Sequence, residues 1–248
     1  MANGFFDCNC AVGRMAVPQP GSYATVAELL DELRYGGISQ AMVYHTVARD
    51  HAPMIGNRQL LDEIAGSPEL TPCWVVMPHH TGEVSPPDQL VDEMRQSGVR
   101  AARIFPASKD QMWSVSDWSA GPLFAGLAAA RVPLFIDFDQ IGWDAIHRIA
   151  GANPALPLVV TGVRYEEFRN LYPLLAQLPN LHVDTSWLVV HQGLEELVTR
   201  FGSERFLFGS RMPIFSPGPA MTHLLYADIS ESARSMIAGD NLRRLLSW

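Results

Sequence analysis

The stretch RFLFGSRMP, residues 205–213, places a cation, Arg211, just past a short apolar run. A guanidinium is always charged. It offers forked donors to a carboxylate or phosphate and cannot ligate a metal. Two further arginines stand in comparable places: Arg103 within VRAARIF, and Arg164 shortly after PLVVT. Each alone reads most simply as a salt-bridge residue. Two or three around one pocket would bind a small anion. Asp137 closes PLFID, and a carboxylate beside a guanidinium stays ionised, suited to orienting water. His45 ends ISQAMVYH, and the ordinary pKa of a histidine lies near neutrality, which suits a general acid or base; Arg49, Asp50 and His51 follow closely. Asn9, in FFDCNC, offers an amide for a substrate or a structural hydrogen bond. Asp137, His45 and Asn9 are thus the catalytic candidates, and Arg211, Arg103 and Arg164 the substrate-binding ones.

Other titratable groups carry weaker signals. His79 and His80 are adjacent, point apart and make a poor chelate, with Glu83 nearby. His191 and Glu195 are four apart, as a helix face would have them. Asp184 and Ser186 share a parity. In FFDCNCA, strict alternation would turn Asp7, Asn9 and Ala11 to one side and Cys8 and Cys10 to the other. The cysteines then read as small buried hydrophobes. No Gly-x-Ser-x-Gly, His-Glu-x-x-His or glycine-rich phosphate loop is present.

These residues need elements to position them. Short apolar runs alternate with amphipathic stretches along the chain. Strands are predicted at residues 4–9, 38–45, 71–77, 99–105, 133–138, 157–161, 181–186 and 206–208. Helices are predicted at 25–35, 57–65 (capped by Asn57), 87–97, 122–130, 143–150, 165–177 and 193–201, with a last helical region over 230–246. Eight strand–helix units in 248 residues, without a compositional break, predict one domain over 1–248 and an α/β (β/α)8 TIM barrel. An open doubly wound sheet is the alternative, but no glycine-rich first turn supports it. In a barrel, the strand ends named above would meet at one mouth. The long segments HTVARDHAPMIGN and FPASKDQMWSVSDWSAG would cover it, bringing Trp113 and Trp118 as an aromatic lid.

The chain is 48% hydrophobic and 18% charged, enough to bury a large core. A formal charge of -8 argues against a nucleic-acid surface, and no apolar run has membrane-spanning length. Three cysteines build no disulfide framework, and the N-terminus shows no signal peptide. The expected location is the cytoplasm. The expected partner is a small anionic molecule, with neither nucleic acid nor membrane, and self-association is compatible with the composition.

Several segments resemble the amidohydrolase superfamily, in its amidohydrolase-2 branch of barrel metal hydrolases and decarboxylases. GLEELVTRFGSERFLFGSRMP resembles that branch's helix 7, turn and strand 8, which usually ends in Gly-Ser-Asp-x-Pro. MIAGDNLRRLL resembles its closing helix, and PNLHVDTS its seventh strand. FFDCNCAVG stands where the branch has Asp-x-His-x-His and a glycine. The resemblance implies metal-ligand positions at Asn9, Ala11, near Asp137, near Gly162 and at Arg211. All five are altered, and only Asn9 and Asp137 keep a capacity to bind metal. No conventional metal centre, and no other cofactor, is therefore expected.

Three functions follow: a metal-independent hydrolase or lyase acting on a small carboxylated molecule; a non-catalytic anion-binding or assembly descendant; and a metal hydrolase with a displaced ligand set such as Asp7, His45 and Asp137. In the first, Arg211 pairs with Asp137 and a guanidinium replaces the metal as the electrophilic element.

Overall fold

Eight apolar runs become eight parallel strands in the order β1 to β8: Phe5–Val12, Ile38–His45, Leu70–Val75, Ala101–Ile104, Leu134–Asp137, Leu158–Thr161, Leu181–Asp184 and Phe206–Leu207. The structure is a computed structural model and describes residues 4–17 and 19–248. The sheet closes on itself where the Cys8 amide donates to the Phe208 carbonyl at 2.9 Å. This is the expected (β/α)8 barrel. No helix among the described residues is long and apolar enough to cross a membrane.

Alternation along each strand sorts side chains into two layers. Met42, Cys73, Ala101, Phe135, Val159 and Leu207 fill the barrel interior. Val43, Ile104, Ile136, Val160 and Val183 face outward against the helices. Beginning at the N-terminus, those helices are α1 (Val26–Gly36), α2 (Thr46–Asp50), α3 (Pro53–Ile64), α4 (Pro87–Gln96) and α5 (Asp117–Ala129). Then follow α6 (Trp143–Ala152), α7 (Phe168–Gln177), α8 (Gly193–Phe201) and α9 (Gly218–Tyr226). α10 (Glu231–Ser235) and α11 (Asn241–Leu245), joined by a π turn, finish the chain. Leu242 and Leu245 of α11 join the interior cluster as its floor.

Several sequence expectations are corrected. The pairing of β1 with β2 shifts register between Asp7 and Cys10, a bulge that breaks strict alternation. Cys8 and Ala11 consequently pack in the interior, while Cys10 packs with the outer layer. Asp7 also leaves the interior: its Oδ1 accepts from the amides of Asn9 (2.9 Å) and Ser210 (3.1 Å). Asn57 does not cap α3, which starts at Pro53. Buried inside the helix, Asn57 donates to the Val75 carbonyl (2.8 Å) and accepts from its amide (2.9 Å), docking α3 on β3. α5 begins at Asp117 rather than 122, so Trp118 sits in its first turn, 79% exposed. α2 lies in a segment expected to cover the mouth and α9 in one assigned no element; α2 is a single short turn, and α9 opens at Gly218 after Ser216-Pro217.

Candidate active site

Interior parity brings one residue from nearly every strand to the carboxyl end of the barrel. Tyr44 (β2), Arg103 (β4), Asp137 (β5), Thr161 (β6) and Asp184 (β7) all follow interior-facing residues by two positions. Asn9 joins them from the β1 bulge. Arg103 is the hub and is 1% exposed. Its Nη1 donates to Asn9 Oδ1 at 2.8 Å, and its Nη2 to Asp137 Oδ1 (3.1 Å) and Thr161 Oγ1 (3.0 Å). Its guanidinium carbon lies 4.9 Å from the Tyr44 ring centre. Thr161 also donates to Asp137 Oδ1. On the other side, Asn9 donates to Asp184 Oδ2 at 3.0 Å, and the Gly162 amide to Asp184 Oδ1 at 2.9 Å.

Burial pushes the Asp137 pKa up, but Arg103, Arg211 and the Thr161 hydroxyl together outweigh it and hold the carboxyl below its ordinary value. Asp137 is thus an anion whose Oδ1 is occupied and whose Oδ2 faces Arg211 at 4.0 Å. Asp184 shifts the other way: burial dominates the hydrogen bonds it accepts and raises its pKa. Asp7 is raised to about 6, again by burial, and its Oδ2 lacks a partner.

Arg211 enters from the turn after β8 with φ +64, a left-handed backbone that is uncommon outside glycine. The turn is tied to β1 by the Ser210 amide on Asp7 and by the Ala11 amide on the Met212 carbonyl (2.9 Å). A β-carbon at Gly162 would lie 2.8 Å from Arg211 Nη1, so this glycine clears the space that the guanidinium occupies. Arg211 lies 5.6 Å from the Trp187 ring centre, and its one ion-pair contact among the described residues is the long one to Asp137.

Above this network lies a cleft of about 320 Å³, lined among others by Asn9, Tyr44, Arg49, Asp137 and Arg211, with Met15 to Val17 as one wall. Arg49 and Lys109 are committed elsewhere. Arg49 donates to Asp110 Oδ1 through Nε (2.9 Å) and Nη2 (2.8 Å), and Lys109 meets Asp139 at 2.5 Å. The cleft's remaining cation, Arg211, has donors to spare.

The sequence candidates therefore divide. Asn9, Arg103, Asp137 and Arg211 come together. Arg164 is exposed and lines an adjoining cleft that shares Asp137 and Arg211. His45 does not reach the mouth: its parity turns it outward, where Nδ1 accepts from the Val47 amide (3.1 Å) and Nε2 lies 3.4 Å from Glu63. Trp113 and Trp118 form no lid over the cleft; Trp113 donates to Gln111. His80 bonds the Ser119 carbonyl beside the helices, and Glu195 accepts from the Asp228 amide while His191 is exposed. Tyr44 is not among the sequence candidates, because the polar residue that ends the strand, His45, has the outward parity and Tyr44 the inward one. Thr161 was missed because its neighbour Gly162 marked the altered ligand position.

The donor set does not fit a divalent ion. Between Asn9 and Asp137, where a metal would need open oxygens, the Arg103 guanidinium already takes Asn9 Oδ1 and Asp137 Oδ1, leaving Asp137 Oδ2 facing a second guanidinium. That guanidinium would repel a cation there. Among the described residues, no three histidines, cysteines or carboxylates converge. The alternative set Asp7, His45 and Asp137 is not assembled, because the first two face away from the cleft.

The profile of the amidohydrolase family, Amidohydro_2, matches residues 6–248. No curated protein matches the chain. Similar solved structures include an uncharacterised TIM-barrel protein from Bordetella bronchiseptica, at 16% identity and TM-score 0.77, covering 98% of each chain. A candidate 2-pyrone-4,6-dicarboxylic acid hydrolase from Pseudomonas putida shares 18% identity at TM-score 0.72, covering 98% of this chain and 97% of that one. 5-Carboxyvanillate decarboxylase from Sphingomonas paucimobilis shares 14% at TM-score 0.73, covering 98% and 99%.

Proposed function

The chain belongs to the amidohydrolase family, and on that premise we propose that it is a hydrolase or lyase acting on a small carboxylated molecule, with guanidinium groups in place of a metal as its cationic element. The observation that carries this reading is Arg211, whose uncommitted donors face the cleft beside the free oxygen of Asp137. Two similar structures, the pyrone dicarboxylic acid hydrolase candidate and the carboxyvanillate decarboxylase, bear the names of carboxylated ring compounds, which supports the substrate class.

In this reading Arg211 grips the substrate carboxylate through two parallel hydrogen bonds. Asp137, fixed through Oδ1 by Arg103 and Thr161, uses Oδ2 to accept a hydrogen bond from a water and aim it at the scissile carbonyl. As water adds, the carbonyl π pair moves onto oxygen and the water proton passes to Asp137. The developing oxyanion lies in the field of Arg211. Collapse expels the leaving oxygen, which takes the proton back. Asp137 is a weak base, so activated esters and lactones suit it better than amides.

A second reading, anion binding without chemistry, is favoured by the hydrogen bonds that already tie Asn9, Arg103, Thr161 and Asp184 to one another. One experiment separates the two: a panel of carboxylated lactones and aryl esters with uncharged counterparts, with turnover followed by chromatography and binding by calorimetry. Turnover of carboxylated members only, lost in Asp137→Asn while binding persists, is expected. Arg211→Gln should weaken binding roughly tenfold or more. Binding without turnover would leave the anion-binding reading, and binding indifferent to Arg211→Gln would remove the site from this cleft.

A further inference from the structure

Asp137 and Arg211 line not only the cleft described above but also a second one, of about 400 Å³, on the side of β5 to β8. The loop after each of those strands supplies a wall: Phe138 after β5, Arg164 after β6, Trp187 after β7 and Phe215 after β8. Three aromatic rings thus line the second cleft, against Tyr44 alone in the first among the described residues. The Trp187 and Phe215 rings meet edge-on, with centres 5.4 Å apart and planes at 79°. Phe215 stays 43% exposed beside the cleft. Both acids of the cleft are engaged, Asp137 by Arg103 and Asp139 by Lys109. Arg164 makes no ion pair among the described residues. Aromatic walls with Arg211 and Arg164 at their edge suit an electron-rich ring.

The chemistry of the mouth asks for such a ring on one side of the scissile bond. Asp137 is ionised and a weak base. No histidine lines either cleft among the described residues. Asp184, which burial holds towards its protonated form, is 0% exposed and turned to Asn9 and the Gly162 amide. A leaving group therefore departs with little help from a proton donor and has to carry its own negative charge. Phenols do so, ionising at about pH 10, roughly six units below water. An alkyl lactone expels a far more basic alkoxide. That alkoxide also stays tethered to the acyl part and would make no use of a second cleft.

We propose that the second cleft is the leaving-group site and that the substrate is an aryl ester: its carboxylated acyl part lies in the first cleft, and Trp187 and Phe215 hold its phenolic ring in the second. The proposal rests on the hydrolytic reading of the mouth. Water held by Asp137 forms the new bond to the acyl carbon as the carbonyl π pair moves onto oxygen, and one water proton passes to Asp137 Oδ2. The returning pair breaks the bond to the aryl oxygen, which leaves with that bond's electrons. The phenolate then takes the proton from Asp137. The products are a phenol and a carboxylic acid, which ionises to solvent.

The test compares two monoesters of adipate on the full chain, the phenyl ester and a fluoroalkyl ester whose alcohol matches phenol in acidity. The match removes leaving-group ability as a cause, and adipate is long enough that its own carboxylate does not attack the ester. A preference in kcat/KM for the phenyl ester of roughly tenfold or more is expected, as covering one ring's apolar surface implies. Phe215→Ala and Trp187→Leu should each erode that preference by raising KM for the phenyl ester. Truncating the exposed Phe215 opens no core. Equal handling of the two esters would overturn the proposal. So would losses in the variants shared equally by both esters, since Trp187 would then act on Arg211 rather than on a ring. Calorimetry with two unhydrolysed amides, the monoanilide and the monomethylamide of adipate, makes the same comparison without turnover. If neither ester turns over, the hydrolytic reading fails and the amides decide the cleft alone. Tighter anilide binding that is lost in Phe215→Ala supports the ring site, and equal binding of the two amides overturns it.

Discussion

Removing Arg103 and removing Arg211 should have opposite consequences. Arg103 is buried and bonded to Asp137, Asn9 and Thr161, so Arg103→Ala strands a buried carboxylate. Chemical denaturation should show a loss of about 3–5 kcal/mol. Arg211 is partly exposed and 4.0 Å from Asp137, so Arg211→Ala should cost less than about 1 kcal/mol while weakening carboxylate binding. Asp7 supplies a pH test. Its folded pKa, about 6, lies above its ordinary value because of burial, so the folded state favours its protonated form. The stability linked to it is complete below about pH 4 and is lost as pH rises through 6. Asp7→Asn, which keeps an oxygen for the Asn9 and Ser210 amides, should gain up to about 3 kcal/mol at pH 7 and little at pH 4. Denaturation midpoints at the two pH values measure this. A uniform gain would argue against burial as the cause. At this scale the sequence pointed to Asn9, Arg103, Asp137 and Arg211, which meet, but also to His45, whose strand parity turns it away, and not to Tyr44 or Thr161. The interior position of Arg103 was implicit in the parity of Ala101, Arg103 and Phe105, yet a lone arginine reads first as a surface ion pair.

Elements place the site through close backbone contacts that residue types barely advertise. A β-carbon at Gly56 in α3 would fall 2.1 Å from the Ala48 backbone nitrogen in α2. Gly56→Ala must push the two helices apart, and α2 carries Arg49. The expected loss is at least about 3 kcal/mol, at the upper end of overpacking costs, measurable by thermal or denaturant unfolding. Gly162→Ala adds a β-carbon 2.8 Å from Arg211 Nη1 at a backbone of φ +73. It should weaken carboxylate binding through Arg211 even where the fold survives. The β1 bulge belongs to this scale too. Cys8 and Cys10 exchange a shared face for opposite ones because one extra residue interrupts the ladder, and hydrophobic patterning gives no sign of it. α2 was equally hidden, since five residues are too few for helical periodicity to register. By contrast, β2 and α8 match their predicted spans, because unbroken patterns with clear ends determine them.

For the molecule as a whole, the barrel follows from eight repeated strand–helix units, and the family from segments spread along the chain. In the proposed reading, the mouth departs from the metal-binding pattern that the sequence resemblance implies. A guanidinium, Arg103, fills the space between Asn9 and Asp137, and a second, Arg211, faces the cleft. In that reading, fixed arginines stand in place of a bound ion. Elemental analysis of the protein purified without chelator, paired with melting curves before and after EDTA dialysis, tests it most directly. Zinc, iron and manganese are expected far below one ion per chain, with an unchanged melting temperature. A near-stoichiometric metal whose removal lowers the melting temperature would contradict it.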